Sequence, residues 1–486
     1  MTHHNCHPRP SDRRERGEGD PGVRHMHGFK KFSLSNFLNQ RSAATWVPFP
    51  RRALRVSPGM TIGFVVGLFV TTAMAQPATA NAILIQHGHV YTVGAGTLNN
   101  ADVLIENGKI TAVGPNLTAP PGAKIIDAHG KPVTPGLMAS WTQLGIEEVQ
   151  LVSEVNDTQP NQEQDSAAFD VADAINPAST EIPVARIAGV TRSLTAPADC
   201  GDVFCGTSAV IHLGNGPDLL VKTKTGVLVE LEPAGGAGQK NSRPDIWAKF
   251  RETLDDAREY CAQRSGYHRP GGYRDQRSLR IDLDALCPVT QGSEPLLVHV
   301  ERASTIRQIL GYTEANHIKL VLFGASEAWQ VGKELAAAHV PVVLDNNINL
   351  PVSFSQLGAT LKGAARLDAA GVMVVFQPQN DDPGEYARTI NQIAGNAVAN
   401  GMKWDHALAA ITKNPATVFG ISDSYGTLEP GKDADVVIWD GDPLDVTSAP
   451  TAVFIKGQNI PLVSRQTRLR DRYRDLNKKN PPFAYR

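Results

Sequence analysis

Imidazole and carboxylate side chains lie at or just beyond segments that have the pattern of β-strands. His299 is near the end of one such segment, and Asp381 and Asp382 follow another. An imidazole and a carboxylate can serve as a general acid and base without a metal ion. A lone histidine is also typical of a pocket in which it is only hydrogen-bonded, so both interpretations stay open. Glu230 and Glu232 share one face of a third segment, a pattern that equally fits two solvated carboxylates.

Short motifs of other enzyme classes are incomplete in this chain. Gly324 and Ser326 resemble the first part of a nucleophile elbow, but Ala328 stands at the fifth position, and the motif also needs a strained turn and a histidine partner. Residues 94–96 (GAG) lie in a β-type segment without the third glycine or the helix of a dinucleotide site. The sequence therefore favours neither a serine hydrolase nor a nucleotide-binding protein.

Alternating strands and helices must position these residues. Leu296, Leu320 and Val342 occupy equivalent places in successive strand-like runs and are 24 and 22 residues apart, which is the repeat of βα units in a parallel sheet. Predicted helices lie between these runs, at 303–315 and 326–338, and an amphipathic helix is predicted at 244–263. The middle of the chain is therefore predicted to be an α/β region.

Short β-type segments flank this α/β region on both sides. From residue 81 the chain alternates strand-like runs with turn residues such as Asn107-Gly108, which suits hairpins. Residues 426–458 have the same character. An α/β region between two matching β pieces predicts one barrel inserted into a small β-sandwich.

Composition restricts the class of protein. Of 486 residues, 41% are hydrophobic, 6% aromatic and 20% charged, which excludes a mainly disordered or collagen-like chain. The first 75 residues contain 11 Lys and Arg against 4 Asp and Glu, which leaves 36 against 45 in the remainder. Because a nucleic-acid binder needs a basic face, this acidic body predicts no nucleic-acid partner.

The N-terminal 75 residues have the pattern of a basic leader and signal peptide. Arg51 and Arg52 precede the apolar run Ile62–Val70, and Ala73-Met74-Ala75 is a small-x-small cleavage site. The run is too short to span a bilayer comfortably, so no permanent membrane span is expected. The chain is therefore predicted to be exported, to the periplasm, and the arginine pair leaves the general and twin-arginine routes both open.

Four cysteines would remain in the exported chain: Cys200, Cys205, Cys261 and Cys287. The C-x4-C spacing has no matching His/Cys cluster, so a zinc knuckle is not expected. In an oxidising compartment the favoured interpretation is two disulfides, Cys200 with Cys205 and Cys261 with Cys287. Other connectivities, or four buried thiols, are the alternatives.

The two β-type ends carry a resemblance to a known family. The opening (ILIQHGHVYTV, DVLIENGKITAVGP, AKIIDAHGKPVTPGL) and the closing TLEPGKDADVVIWDGDP resemble the amidohydrolase superfamily, and most nearly its imidazolonepropionase-like members. The resemblance implies an α/β fold with a TIM-like (β/α)8 barrel and a composite β-sandwich built from both ends of the mature chain. The implied boundaries are 81–134 and 426–463 for the sandwich, 135–425 for the barrel and 464–486 for a C-terminal tail.

The resemblance also implies where a metal centre would lie. Family members hydrolyse non-peptide C–N bonds with a divalent metal such as zinc, held at the carboxyl ends of the barrel strands. The family's first-strand histidine pair corresponds to Trp141 and Gln143, and its fifth-strand histidine to His299. The sixth-strand histidine falls at Phe323, and the eighth-strand aspartate falls near Gln379.

These replacements change the chemistry that the resemblance implies. An indole offers a metal no lone pair, and a carboxamide is a weak ligand for zinc. His299 and Glu230 are then the candidate metal ligands, while Asp381 and Asp382 lie close to the eighth-strand position. Trp141, Gln143, His299 and Gln379 are predicted to line a substrate-binding site.

We therefore expect an amidohydrolase-like protein, by resemblance a hydrolase of non-peptide C–N bonds, whose metal-dependent activity is lost or altered. The alternative is a non-catalytic binding or partner subunit, which would assemble with itself or with an active relative. In either case the expected ligand is a small molecule that the sequence does not identify.

Overall fold

The computed structural model describes residues 82–160, 166–198, 200–233, 242–262, 278–379, 382–475 and 477. The predicted leader over residues 1–75 and the candidate Asp381 lie outside the described residues.

The N-terminal block consists of five strands: β1 (Ala82–Tyr91), β2 (Thr97–Glu106), β3 (Lys109–Gly114), β4 (Lys124–Asp127) and β5 (Pro132–Pro135). β1 pairs antiparallel with β2 and parallel with β4 and β5. The predicted hairpin turn lies between β2 and β3, where Asn107 and Gly108 have φ of 52° and 80°. A two-residue turn with both φ values positive matches the twist of the strands it joins.

The next part of the chain is largely extended: β6 (Leu137–Thr142), α1 (Ile182–Arg186), β7 (Val190–Thr195), β8 (Phe204–Thr207), β9 (Ala209–His212), β10 (Leu220–Lys222) and β11 (Val227–Glu230). β6 and β7 are parallel neighbours, and β9 adds to β7 in the antiparallel direction. β8 pairs antiparallel with β11. Because only Ser208 separates β8 from β9, one bent segment contributes a strand to each of two sheets.

Alternating helices and strands follow: α2 (Arg243–Ala262), α3 (Arg280–Thr290), β12 (Leu296–Val300), α4 (Ala303–Ala315), β13 (Leu320–Gly324), α5 (Gly332–Ala337), β14 (Val342–Leu344), α6 (Gly363–Ala369) and β15 (Val374–Phe376). β11 to β15 are consecutive parallel neighbours. The βα repeat inferred from the spacing of Leu296, Leu320 and Val342 is therefore present.

The last elements among the described residues are α7 (Pro383–Tyr386), α8 (Ile390–Ala399), α9 (Trp404–Ala409), α10 (Lys413–Val418), β16 (Val436–Trp439), β17 (Pro450–Ile455), β18 (Gln458–Ile460) and α11 (Arg465–Tyr473). β16 pairs antiparallel with β5, so strands from both ends share one eight-stranded sheet in the described chain. Short 3-10 helices cover Ser153–Val155, Val171–Ala174, Ala328–Val331, Phe354–Gln356 and Ala387–Thr389.

The strands of the other two sheets enclose a common apolar interior. One cluster takes inward side chains from both sheets: Met138, Leu194, Cys205, Val210, Leu228, Leu297, Val321, Phe323, Val343 and Val375. Although they share this interior, the strands form two separate hydrogen-bonded sheets, of four and six strands, within the described residues. The expected regular (β/α)8 order is wrong between β7 and β11, because antiparallel strands stand where a third βα unit was expected.

A buried ion pair connects β7 to the C-terminal β segment. The Arg192 side chain donates to Asp435 Oδ2 through Nε at 2.8 Å and to Asp433 Oδ2 through Nη2 at 2.8 Å. Its guanidinium also lies 5.1 Å from the centre of the Tyr425 ring. These contacts join the α/β region to the sheet formed by the chain ends.

The structure contains both predicted disulfides. Cys200 bonds to Cys205 and Cys261 bonds to Cys287, with Cα separations of 5.3 Å and 5.6 Å. The second bond links the end of α2 to α3. Within the described chain, no helix combines the length and apolar character that a membrane crossing requires.

Replacing Cys261 and Cys287 by alanine is expected to lower the free energy of unfolding by about 3 kcal/mol, because the unfolded chain loses a cross-link over the 26-residue separation. The paired control is Cys200→Ala with Cys205→Ala, which removes a bond that spans only five residues. Its free energy of unfolding should fall by less. Urea denaturation of both variants without reductant measures the difference. Equal losses would contradict the dependence on loop length.

Candidate active site

A pocket of about 410 Å³ lies at the carboxyl ends of β6, β11 and β12. Its walls come from the loop after β6 as well as from the strand ends. The described lining residues are Trp141, Gln143, Glu147, Gln150, Asn156, Thr158, Gln159, Ala198, Glu230, His299, Gln377 and Pro383. Four residues singled out in the sequence therefore meet here: Trp141, Gln143, Glu230 and His299.

His299 lies between two carboxylates. Parallel pairing of β11 with β12 places Glu230 opposite His299, and the His299 Nδ1 to Glu230 Oε2 distance is 2.7 Å. On the other side, Nε2 lies 3.3 Å from Glu301 Oε1. Each ring nitrogen thus has a carboxylate partner, which is the environment of an imidazolium with two N–H donors.

These carboxylates determine the charge of His299. Burial of the ring by itself lowers the pKa of His299, but the charge and hydrogen bond of Glu230, reinforced by Glu301, raise that pKa well above its usual range. We therefore assign His299 as a cation that is neutralised within the protein.

Glu301 is held by its own set of donors. Ser326 donates to Glu301 Oε2 through its backbone N–H at 2.8 Å and its hydroxyl at 2.5 Å, and Gln356 Nε2 donates to Oε1 at 3.0 Å. Burial opposes the charge, but His299 and Ser326 lower the pKa of Glu301. Ser326 is therefore engaged with a carboxylate and does not form a nucleophile elbow.

Gly324 leaves the space that this contact needs. A Cβ at this position would lie 2.6 Å from Glu301 Oε1 and 2.7 Å from His299 Nε2, and its φ is +71°. Only glycine has both the freedom to adopt this φ and the small size required.

Glu232 supports the site without facing it. Its Oε1 accepts the backbone N–H of Glu301 at 3.0 Å, and its Oε2 accepts Arg243 Nη2 at 2.9 Å and the Ser355 hydroxyl at 2.8 Å. Glu230 and Glu232 are both buried. The alternative that they form a solvated face is therefore wrong.

Trp141 closes the apolar interior beneath the pocket. Its ring centre lies 4.5 Å from that of Phe323 and 5.6 Å from that of His299, both in edge-to-face arrangements. Trp141 has φ of 60°, a strained conformation for a bulky residue. Ala139, two residues earlier, packs in a different apolar cluster from the interior one that Trp141 contacts. Regular strand alternation would place both side chains on the same face, so the positive φ is what directs Trp141 inward.

The residue at the eighth-strand position of the pocket is Gln377, two residues before the predicted Gln379. β15 ends at Phe376, and the next residue, Gln377, is buried and lines the pocket. Gln379 is exposed and is not among the described lining residues, because the strand has ended before it. Asp382 caps α7 by accepting the Glu385 backbone N–H at 3.1 Å, so its observed contact is structural.

The acidic wall of the pocket has no signal in the sequence. Glu147 is 5% exposed and its Oε1 accepts Asn156 Nδ2 at 2.7 Å. Burial, and then the charge of Asp382, raise the pKa of Glu147. Burial likewise raises the pKa of the nearby Glu181 to about 8, with Asp382 and Glu147 contributing. No motif marks these residues, because they come together only through the loop after β6.

Comparison with known proteins identifies the fold around this pocket. Residues 368–463 match the model described as Amidohydrolase family. A solved amidohydrolase from Thermotoga maritima superposes on the structure with a TM-score of 0.69, at 24% identity, over 78% of this chain and 99% of that one. The chain therefore resembles the amidohydrolases in this segment and in its fold.

Two curated proteins are similar to most of this amidohydrolase-like chain. An imidazolonepropionase from Klebsiella pneumoniae is 23% identical over 405 residues, which cover 76% of this chain and 93% of the relative. The amidohydrolase tasK from Hapsidospora irregularis is 23% identical over 388 residues, 73% of this chain. The chain spans only about two fifths (39%) of the length of tasK.

The donors of the amidohydrolase-like chain do not fit the metal centre that the resemblance implies. Trp141 and Phe323 offer no metal-binding lone pair, and both nitrogens of His299 are directed at carboxylates. In the described part of the chain, no group of three or more His, Cys, Asp or Glu is arranged to hold a metal ion. The site is instead an imidazolium paired with two carboxylates, beside a pocket lined by an indole, amide groups and the Glu147 carboxylate.

Proposed function

We propose that this amidohydrolase-like protein binds a small polar molecule in the pocket at the strand ends and has lost metal-dependent hydrolysis of C–N bonds. The observation that carries the proposal is the pairing of both His299 nitrogens with Glu230 and Glu301. An imidazolium held in this way has no lone pair for a metal, and both of its protons are already donated to carboxylates. It therefore also serves poorly as a general acid for a bound substrate.

The proposed architecture is a TIM-like barrel in which the two smaller sheets form two arcs. The shared interior cluster supports this, since it takes a side chain from nearly every strand of both sheets. β6 and β15 are the end strands of these two sheets and are not paired with each other. The backbone N–H groups of Met138 in β6 and Phe376 in β15 instead donate to the carbonyls of Ile411 and Ala410. Export to the periplasm and association with another subunit stay predictions from the sequence.

We expect the purified protein to contain no stoichiometric zinc at neutral pH and to show no turnover on a panel of cyclic amides, cyclic amidines and dipeptides. Adding zinc should not create activity and adding a chelator should not change it, because the donors do not converge on a metal position. Elemental analysis with the substrate panel measures both.

The double variant Trp141→His with Gln143→His provides the matched test of the donor set. It should remain inactive with added zinc, because Phe323 cannot supply the further ligand. Stoichiometric metal in the native protein, with turnover abolished by a chelator, would refute the proposed loss of activity.

A further inference from the structure

We infer that the pocket at the strand ends takes a cationic ligand rich in N–H groups, of the guanidinium, amidinium or ammonium class. This inference rests on the proposed function, since it names the chemistry of the small molecule that the same pocket would hold. It is carried by an uncompensated buried carboxylate, an amide oxygen without a donor, and an indole, all on the pocket wall.

Glu147 is the first of these groups. It is 5% exposed and lines the pocket, and its hydrogen-bond partner, Asn156 Nδ2, is neutral. Among the described lining residues there is no Lys or Arg, and the nearby charge of Asp382 has the same sign as that of Glu147. A buried carboxylate in this position is most stable when a ligand supplies the missing positive charge.

His299 does not provide that charge. Its imidazolium is 2.7 Å from Glu230 and 3.3 Å from Glu301, so two carboxylates already surround one cation. The described part of the wall therefore carries a net negative charge, which disfavours an anionic ligand.

Gln143 adds an acceptor. The residue is 3% exposed and lines the pocket, and its side-chain Oε1 has no hydrogen-bond partner among the described residues. A buried acceptor without a donor costs free energy, which a ligand N–H would recover. Amide oxygen and carboxylate thus favour the same kind of ligand.

Trp141 completes the wall. Its indole lines the pocket, and indole is the aromatic group that attracts a cation most strongly. A planar guanidinium or amidinium can contact the ring while donating N–H groups to Glu147 and Gln143. The volume of about 410 Å³ admits a ligand of small-molecule size.

The test is calorimetric titration of the full-length protein with three probes of similar shape: n-butylguanidinium, the neutral n-butylurea and the anionic pentanoate. We expect n-butylguanidinium to bind at least about tenfold more tightly than n-butylurea, and pentanoate not to bind. Glu147→Gln should lower the affinity for n-butylguanidinium about tenfold or more, since it removes the charge and keeps the shape. Glu154→Gln, at an exposed residue seven positions away, should leave the affinity unchanged.

Three results would overturn the inference: equal or tighter binding of n-butylurea or pentanoate, unchanged n-butylguanidinium affinity in Glu147→Gln, or no binding of any probe. A native unfolding midpoint in Glu147→Gln shows that a loss of affinity is not a loss of folding. The proposed function fails separately, through bound metal and chelator-sensitive turnover, so the two failures are distinguishable.

Discussion

Replacing Arg192 with alanine is expected to lower the free energy of unfolding by about 3–5 kcal/mol, because the change leaves buried carboxylates without their cation. The Arg192 side chain is fully buried at 0% exposure and pairs with Asp433 and Asp435. These contacts join β7 to the segment leading into β16, so their loss also weakens the attachment of the C-terminal strands. Urea denaturation followed by circular dichroism measures the effect.

Arg307→Ala is the control for this prediction. Arg307 pairs with Glu334 at 3.0 Å, a distance similar to the Arg192 contacts, but the two side chains are 52% and 46% exposed. Water already solvates both groups, so the expected loss is below about 1 kcal/mol. Equal losses in the two variants would show that burial of the Arg192 cluster does not determine its contribution.

Removing the Glu230 carboxylate by Glu230→Ala is expected to cost about 3–5 kcal/mol and to return the pKa of His299 toward its usual range. In the native protein the raised pKa of His299 keeps the imidazolium charged near neutral pH. Long-range nitrogen–proton NMR of the ring should therefore show both nitrogens protonated at pH 7 in the native protein and a titration at lower pH in the variant.

The pH dependence of stability has a definite sign. The pKa of His299 is higher in the folded state than in the unfolded chain, so the folded state binds the extra proton. The stabilisation is fully present below the unfolded pKa of about 6.5 and is lost as the pH rises through the folded pKa. Glu230→Ala should reduce this alkaline loss of stability.

Asp368→Ala tests whether the effect belongs to the buried site. His406 Nδ1 lies 2.7 Å from Asp368 Oδ1, the same separation as in the His299–Glu230 pair, but the His406 side chain is 43% exposed. We expect a loss below about 1 kcal/mol and no change in the His299 signals. A His299 titration that is the same in Glu230→Ala as in the native protein would refute the assigned coupling.

Local sequence patterns predicted much of the secondary structure. The helix expected at 303–315 is α4 (Ala303–Ala315), because apolar spacing and flanking turns are local signals. The Asn107-Gly108 turn could be predicted for the same reason, whereas the favoured pairing of the four cysteines followed from their even number in a predicted oxidising compartment. Even the joining of the two chain ends followed from their matching β-type segments, which need each other to complete a sheet.

The composition of the site was predictable only in part. Trp141, Gln143, Glu230 and His299 were identified from the resemblance and do meet in one pocket. Glu301 and Glu147 were not identified, because a carboxylate in a loop has no local signature. Gln379 was placed too far along the chain because the end of β15 cannot be located from alternation alone.

Sequence by itself determined which segments are strands and helices, since periodicity and turn residues act within a few residues. Only the tertiary structure decided the inward turn of Trp141, the antiparallel strands between β7 and β11, and the enclosure of His299 by two carboxylates. Glu230 and His299 are 69 residues apart in the chain, and their contact depends on the register of β11 against β12. Register is set by the summed packing of whole strands, so no short pattern in the sequence encodes it.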